Sequence, residues 1–318
     1  MRKNLNAVHI EGYVYDCSKL SLRTTGANSK NPNTEYFSGD LEIATDEEGL
    51  NVVPVHFTYV TEFYSKSGKA NNTFTNLKAI LNNPNGAWVS GGKDDAMKVS
   101  ISGSLALNDF YSADDQRVSQ KRIEGSFLNI VNSLNPVENE RNKFQCDMVI
   151  NKVNRVAADE EKNIKEDYVT VGGAIFNFRN DLLPFDFKVK SVGGMEFFED
   201  LGVTNAEPVY TKVWGHYNNQ TIKVERTEES AFGESAVAIF ERKSKEWVIT
   251  GTSRVPYEYG ENGDLTVEEL NNAQQNREVH WAEIKKRNDE YLASKNNAVA
   301  SSSNKSTAPA IKAGEFLF

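Results

Sequence analysis

Phe74-Thr-Asn-Leu-Lys-Ala-Ile-Leu-Asn-Asn-Pro84 places apolar residues at 74, 77, 80 and 81, the spacing of one helix face, and then stops at Asn-Asn-Pro. On both sides of this stretch the chain alternates with period two. Before it, Val8, Ile10, Gly12 and Val14 share one face of a strand, with His9, Glu11, Tyr13 and Tyr15 opposite. A loop rich in Gly, Asn, Ser and Pro runs from Thr24 to Thr34. Phe37, Leu41 and Ile43 then alternate with Tyr36, Ser38, Asp40 and Glu42, and the turn Asp46-Glu-Glu-Gly49 leads into Val53, Val55, Phe57 and Tyr59. After the helix, Val99, Ile101, Gly103, Leu105 and Leu107 alternate, a polar loop spans Ser112 to Gln116, and a last strand lies around Ile123 to Ile130. Three strands, a helix and two strands is the order of a five-stranded Greek-key barrel.

The same order returns after Asn135-Pro136. Phe144, Cys146, Met148 and Ile150 alternate, and a charged loop, Asp159 to Asp167, stands where the Gly/Asn loop stood. Val169, Val171 and Ile175 form a second strand, and Phe185, Phe187 and Val189 a third. Met195-Glu-Phe-Phe-Glu-Asp-Leu201 takes the helix slot. Val209, Val213 and Tyr217 follow, and Trp247, Ile249, Gly251 and Val255 close the set. Lys98-Val-Ser-Ile-Ser-Gly103 echoes Tyr210-Thr-Lys-Val-Trp-Gly215, and Ile123-Glu-Gly125 echoes Ile249-Thr-Gly251. A single jelly roll would match the strand count but would not put a helix twice in one slot. The expected fold is therefore mostly β, with two tandem five-stranded barrels of the oligonucleotide-binding (OB) type over residues 1–135 and 136–260.

Beyond Gly263 the pattern turns helical. Thr266-Val-Glu-Glu269 is a capping box, and Leu270, Trp281, Ile284 and Tyr291 form a sparse apolar stripe suited to packing on a barrel. A C-terminal helix is expected over 261–293 and a flexible tail over 294–318. The tail is polar from Ser294 to Ala310 and ends in Gly314-Glu-Phe-Leu-Phe318.

The 318 residues include 39% hydrophobic and 25% charged, ordinary for a soluble globular protein, and carry a formal net charge of −9. Neither half is basic, which argues against a duplex-DNA reader but less against a single-strand binder, where a local groove with stacking rings suffices. Cys17 and Cys146 stand alone, without disulfide or CxxC spacing, and fit buried thiols in a reducing cytoplasm. His9, His56, His216 and His280 are scattered, and there is no HExxH, P-loop, GxSxG or GxGxxG. Val171-Gly-Gly-Ala174 lies in a strand and reads as a bend or bulge. No catalytic residue, metal set or cofactor is expected.

Side chains on the outer parity of strands two and three, with the 1–2 and 4–5 loops, are the candidate binding surface. In the first barrel these are Tyr13, Tyr15, Tyr36, His56 and Lys98, Arg23 and Lys30 on the 1–2 loop, and Phe110, Tyr111, Lys121 and Arg122 around the 4–5 loop. In the second they are Tyr168, Phe176, Phe178, Arg179, Lys188, Lys190, Lys212, Trp214 and Arg254. Rings interleaved with cations suit single-stranded DNA, because each base offers a face to stack and the cations track phosphates. Strands favour aromatics anyway, and any one of these rings serves equally well as packing. Phe57 and Tyr59 fall on the core parity and are left out.

The strand and helix order, Lys98–Gly103, Tyr210–Gly215 and the aromatic tip Glu315-Phe-Leu-Phe318 together resemble phage-encoded single-stranded DNA-binding proteins with tandem OB folds. That resemblance implies sequence-tolerant binding of single strands during replication or recombination, in a host cytoplasm. It also implies docking of replication or recombination proteins through Glu315, Phe316, Leu317 and Phe318. A structural or interaction component, such as a virion protein, stays open on the acidic balance, and oligosaccharide binding stays open on the aromatics.

Overall fold

The structure, a computed structural model, describes residues 4–64, 66–159, 164–228, 236–260 and 263–303. The first half holds β1 (Asn6–Asp16), β2 (Leu20–Thr24), β3 (Glu35–Ala44), β4 (Val52–Thr61), α1 (Asn72–Leu81), α2 (Trp88–Gly91), β5 (Lys98–Tyr111) and β6 (Arg117–Ile130). A linker with one 3₁₀ turn, Glu138–Glu140, leads to the second half. There follow β7 (Asn142–Val156), β8 (Tyr168–Phe176), β9 (Leu182–Val189), α3 (Val192–Asp200), β10 (Val209–Glu228) and β11 (Ala236–Thr252), and then α4 (Val267–Ser303).

Each half closes into a five-stranded barrel. β1, β3, β4, β6 and β5 form a ring, as do β7, β8, β9, β11 and β10. In each ring the third and fifth strands run parallel, with Val55 opposite Ile123 and Lys188 opposite Val248. Two tandem OB-type barrels with a C-terminal helix is the fold. The expected inner parity is the core. Ile10, Leu41, Ile43, Val55 and Phe57 are fully buried in the first barrel, and Cys146, Met148, Ile150, Val169, Val171 and Ile175 in the second. Phe74, Leu77 and Ile80 of α1 join the first core and Met195 and Phe198 of α3 the second. Asn71 caps α1 by accepting from the Thr73 amide at 3.1 Å, which starts the helix ahead of its apolar face.

The barrels are joined through their first strands. Residues 6–10 of β1 pair antiparallel with 142–146 of β7, so all eleven strands form one continuous sheet. A matching asparagine opens each of these strands. Asn6 donates to the Leu105 carbonyl at 2.9 Å and accepts from its amide at 2.8 Å, and it also reaches the Phe176 carbonyl of the other barrel at 3.0 Å. Asn142 makes the corresponding pair of bonds to the backbone of Tyr217. The fourth-to-fifth-strand arms then cross over. Lys121 of the first barrel's arm bonds the Asp186 carbonyl at 2.8 Å, and Asn219 of the second barrel's arm bonds the Val52 carbonyl at 2.5 Å.

Several expectations need correction. β2 and the single-turn α2 are additional, each too short to show a period. β11 ends at Thr252, so Val255, 74% exposed, closes nothing. The Gly-Gly pair faces a bulge instead of forming one: the register slips on β7 between Ile150 and Lys152, and a Cβ on Gly173 would sit 1.9 Å from the Val149 carbonyl oxygen. α4 starts with the expected capping box, Glu269 amide to Thr266 Oγ1 at 3.1 Å and Thr266 amide to Glu269 Oε2 at 3.0 Å. It continues to Ser303, ten residues into the stretch read as tail, whose composition reads as linker. The tip Glu315–Phe318 lies outside the described residues.

Candidate functional site

The outer face of β3 and β4 begins with a fully paired row of charges. His56 Nδ1 lies 2.6 Å from Asp40 Oδ1, and Lys19 lies 2.5 Å from Glu42. The hydrogen bond from His56 holds the Asp40 carboxyl below its usual value, against the opposing pull of burial. Arg122 and Glu124, on β6 beside β4, sit 3.0 Å apart in an ion pair that misses hydrogen-bond geometry.

At the far end of the same face two tyrosines meet. The Tyr36 and Tyr59 rings lie 4.7 Å apart at an interplanar angle of 42°. Tyr59 is on the inner parity of β4, yet it is 40% exposed. The register explains this: Phe37 pairs with Val60 but Gly39 with Phe57, so β4 carries one extra residue, and Tyr59 takes φ +50. A bulky residue in the left-handed region is a true outlier, and the bulge turns its ring from core to solvent. Gly39, across the bulge, has φ +129, and a Cβ there would fall 2.1 Å from the Lys19 carbonyl oxygen. Only glycine fits that position. Phe63 and Tyr64, just past β4, are 54% and 40% exposed. Arg23 pairs across the strands with Tyr36, is exposed, and has no ion pair among the described residues. Lys30 is likewise exposed on the loop beyond.

The other candidates of the first barrel are committed elsewhere. Tyr13 is buried, its hydroxyl donating to Glu47 at 2.9 Å and its ring edge-on to Trp88 at 5.6 Å. Tyr15 packs on the same Trp88, and Lys98 stands 5.8 Å from the Tyr13 ring. Glu47 also binds Lys93 and the buried Arg141, each at 2.7 Å. These hydrogen bonds, Lys93 first, bring its carboxyl down to about 2. Phe110 is half-buried on the arm, Tyr111 packs edge-on to Trp281 of α4 at 5.5 Å, and Lys121 pairs with Asp186 at 2.7 Å.

In the second barrel the outward parity assigned to Phe176 is right, but that face is not solvent. Phe176 is fully buried with Val149, Tyr210, Leu265 and Ala273, beneath the start of α4. Lys188 and Lys190 share Glu246 at 2.9 and 2.7 Å, and Lys190 also meets Glu166 at 3.0 Å. Lys188 stands 4.4 Å from the Tyr168 ring centre. Phe178 is 83% exposed on the β8–β9 turn, with the Arg179 guanidinium 5.1 Å over it. Lys212, Trp214 and the exposed Arg254 gather at β10 and the end of β11, with Lys212 5.9 Å from the indole. One strand on either side separates β10 from β8 and β9.

Between the β3–β4 turn and the β10–β11 arm lies a cleft of about 400 Å³, lined by Asp46, Glu47, Glu48, Glu138, His216 and Gln220 among others. Burial, with Lys190 nearby, lowers the His216 pKa from its ordinary 6.5, so it adds no positive charge at neutral pH. The candidates therefore do not line one trough across both barrels. Sequence alternation put Tyr36 on the outer face and did not show that Tyr59, Phe63 and Tyr64 are exposed. The only trace of them is a cluster of three rings within six residues, 59–64.

No helix among the described residues is long and apolar enough to cross a membrane. No curated protein matches the sequence. The chain is similar to a solved deletion-and-substitution variant of the single-stranded DNA binding protein from Thermus aquaticus. The two share 11% identity over 82% of this chain and 100% of that one, with a TM-score of 0.47. The YorF family model matches residues 4–287, and the chain belongs to the YorF family.

Proposed function

We propose that this protein binds single-stranded DNA with little sequence preference, as a non-catalytic partner of replication or recombination. The observation that carries the reading is the outward Tyr36–Tyr59 pair at the open end of the first barrel's face, held by a left-handed bulge. Strained backbone that turns an aromatic ring out of a core costs free energy, and such outliers gather where a ligand is met. Rings so placed stack bases of any sequence, each worth about 1–3 kcal/mol, and the exposed Arg23 and Lys30 can meet phosphates.

Titration of labelled oligo-dT at two salt concentrations tests this. Binding should weaken as salt rises, with a slope of about −0.7 per phosphate neutralised. A folded protein that shifts no oligonucleotide at low salt refutes it. The rival reading, a structural or protein-interaction component, draws on a different observation: Lys19, Lys121, Arg122, Lys188 and Lys190 are spent on internal ion pairs. It predicts a stable assembly with other proteins and indifference to loss of Tyr36 and Tyr59.

A further inference from the structure

We infer that the first barrel alone holds the strand, over the length one barrel can span, and that the second barrel is a scaffold whose corresponding face is closed. This rests on the single-strand reading and assigns that ligand to one of two barrels that share a fold.

Three features count against the second barrel, whose one strongly exposed ring, Phe178, stands on the β8–β9 turn off the strand face. The last outward ring of β8, Phe176, is roofed by Leu265, just ahead of α4, and Ala273 on α4, with Tyr210 beside it, all at or below 3% exposure. A base cannot reach it while α4 is docked. At the opposite end of that face, at the start of β8, Lys188 lies over the Tyr168 ring, on the surface a base would use, and is itself bonded to Glu246. The two lysines there face two carboxylates, Glu246 and Glu166, so the patch offers a phosphate no net charge. Finally, a strand leaving the first barrel past the β3–β4 turn would cross the cleft bearing Asp46, Glu48 and Glu138, which repel phosphates. On the other side α4 ties the two barrels together. Arg277 meets Asp109 on β5, Glu278 meets Arg117, and Lys285 meets Asp115. Among the described residues, no such cover lies over Tyr36 and Tyr59 of the first barrel.

The test uses the full chain and a ladder of oligo-dT lengths read by fluorescence anisotropy. Affinity should stop rising within one barrel's span, about 4–16 nucleotides, at one strand per chain. Tyr36→Ala and Tyr59→Ala should each weaken binding about five- to 150-fold. Tyr168→Ala with Lys188→Ala and Lys190→Ala, and separately Trp214→Ala, should change it less than twofold. The inference falls, with the single-strand reading intact, under either of two results. One is affinity that keeps climbing through a two-barrel length at one strand per chain; the other is a second-barrel variant that weakens binding as much as the tyrosine variants do. The ladder on wild-type protein separates one barrel from two even where a multiple variant fails to fold. Absence of binding at every length removes both readings together.

Discussion

Replacing Arg277 by alanine should detach α4. Its guanidinium bonds Asp109 at 2.5 and 2.7 Å and Ser119 at 3.1 Å, with the Arg277 and Asp109 side chains only 8% and 3% exposed. Removing one partner of such a pair strands a carboxylate away from water, at about 3–5 kcal/mol. The loss is capped by the docking free energy of the helix, because once α4 lifts off Asp109 is hydrated again. Docking buries Leu265, Ala273 and Trp281, the largest at about 1.5–3 kcal/mol each, so cap and penalty are of similar size. Urea unfolding followed by circular dichroism should therefore lose most of about 3–5 kcal/mol, and limited proteolysis should cut first within 267–303. Asp109→Leu with Arg277→Met should recover most of the loss, since no charge is then left unpaired.

The pH dependence gives a second readout. Burial alone would raise the Asp109 carboxyl, but Arg277, Ser119 and His280 outweigh it and hold it below 3.8. The stabilisation in wild-type protein is thus complete above about pH 4 and is lost as the pH falls through the folded value. In the alanine variant α4 has lifted off and Asp109 is hydrated, so acid removes this stabilisation from the wild type alone. The gap between the two proteins should narrow on acidification. An Arg277→Ala protein within about 0.5 kcal/mol of wild type at neutral pH, with α4 still protected, would refute this account.

Three further outcomes follow from individual residues. Tyr59→Gly relieves a left-handed conformation costing about 1 kcal/mol, so urea stability should hold or rise while oligo-dT affinity falls; a parallel fall in both would mean the ring is packing only. Gly39→Ala should destabilise by more than about 1 kcal/mol in the same assay, because both the positive φ and the Lys19 carbonyl oppose a methyl group. Glu47→Gln should flatten the acid limb of the stability curve. The Glu47 carboxyl is lowered to about 2, so its contribution is full above 4.5 and disappears as the pH falls towards 2, and partial exposure keeps it modest.

The architecture was readable because both barrels obey simple periods: inner residues such as Ile10, Leu41, Met148 and Val171 alternate without interruption and are all buried. The site was less readable, for three separate reasons. Alternation assumes an unbroken register, and one inserted residue in β4 reverses the side on which Tyr59 emerges. Parity distinguishes in from out within a sheet, but it cannot show that α4 lies outside Phe176. Nor does strand position reveal a partner: Lys188 and Lys190 look like free cations until β11 brings Glu246 between them. Arg277 hides for a related reason, a charge placed among the few apolar residues of α4 whose mate, Asp109, is 168 residues away.

The joint between the two first strands bears on how the chain is made. While only the leading half has emerged from the ribosome, the backbone amides and carbonyls of residues 6–10 have no neighbour on one side, since that neighbour is 142–146. A bare strand edge of this kind recruits any other extended chain it meets. The trailing half brings the same liability in β7 and cancels both at once. Either half produced without the other should accordingly be prone to aggregate, however well its own ring closes.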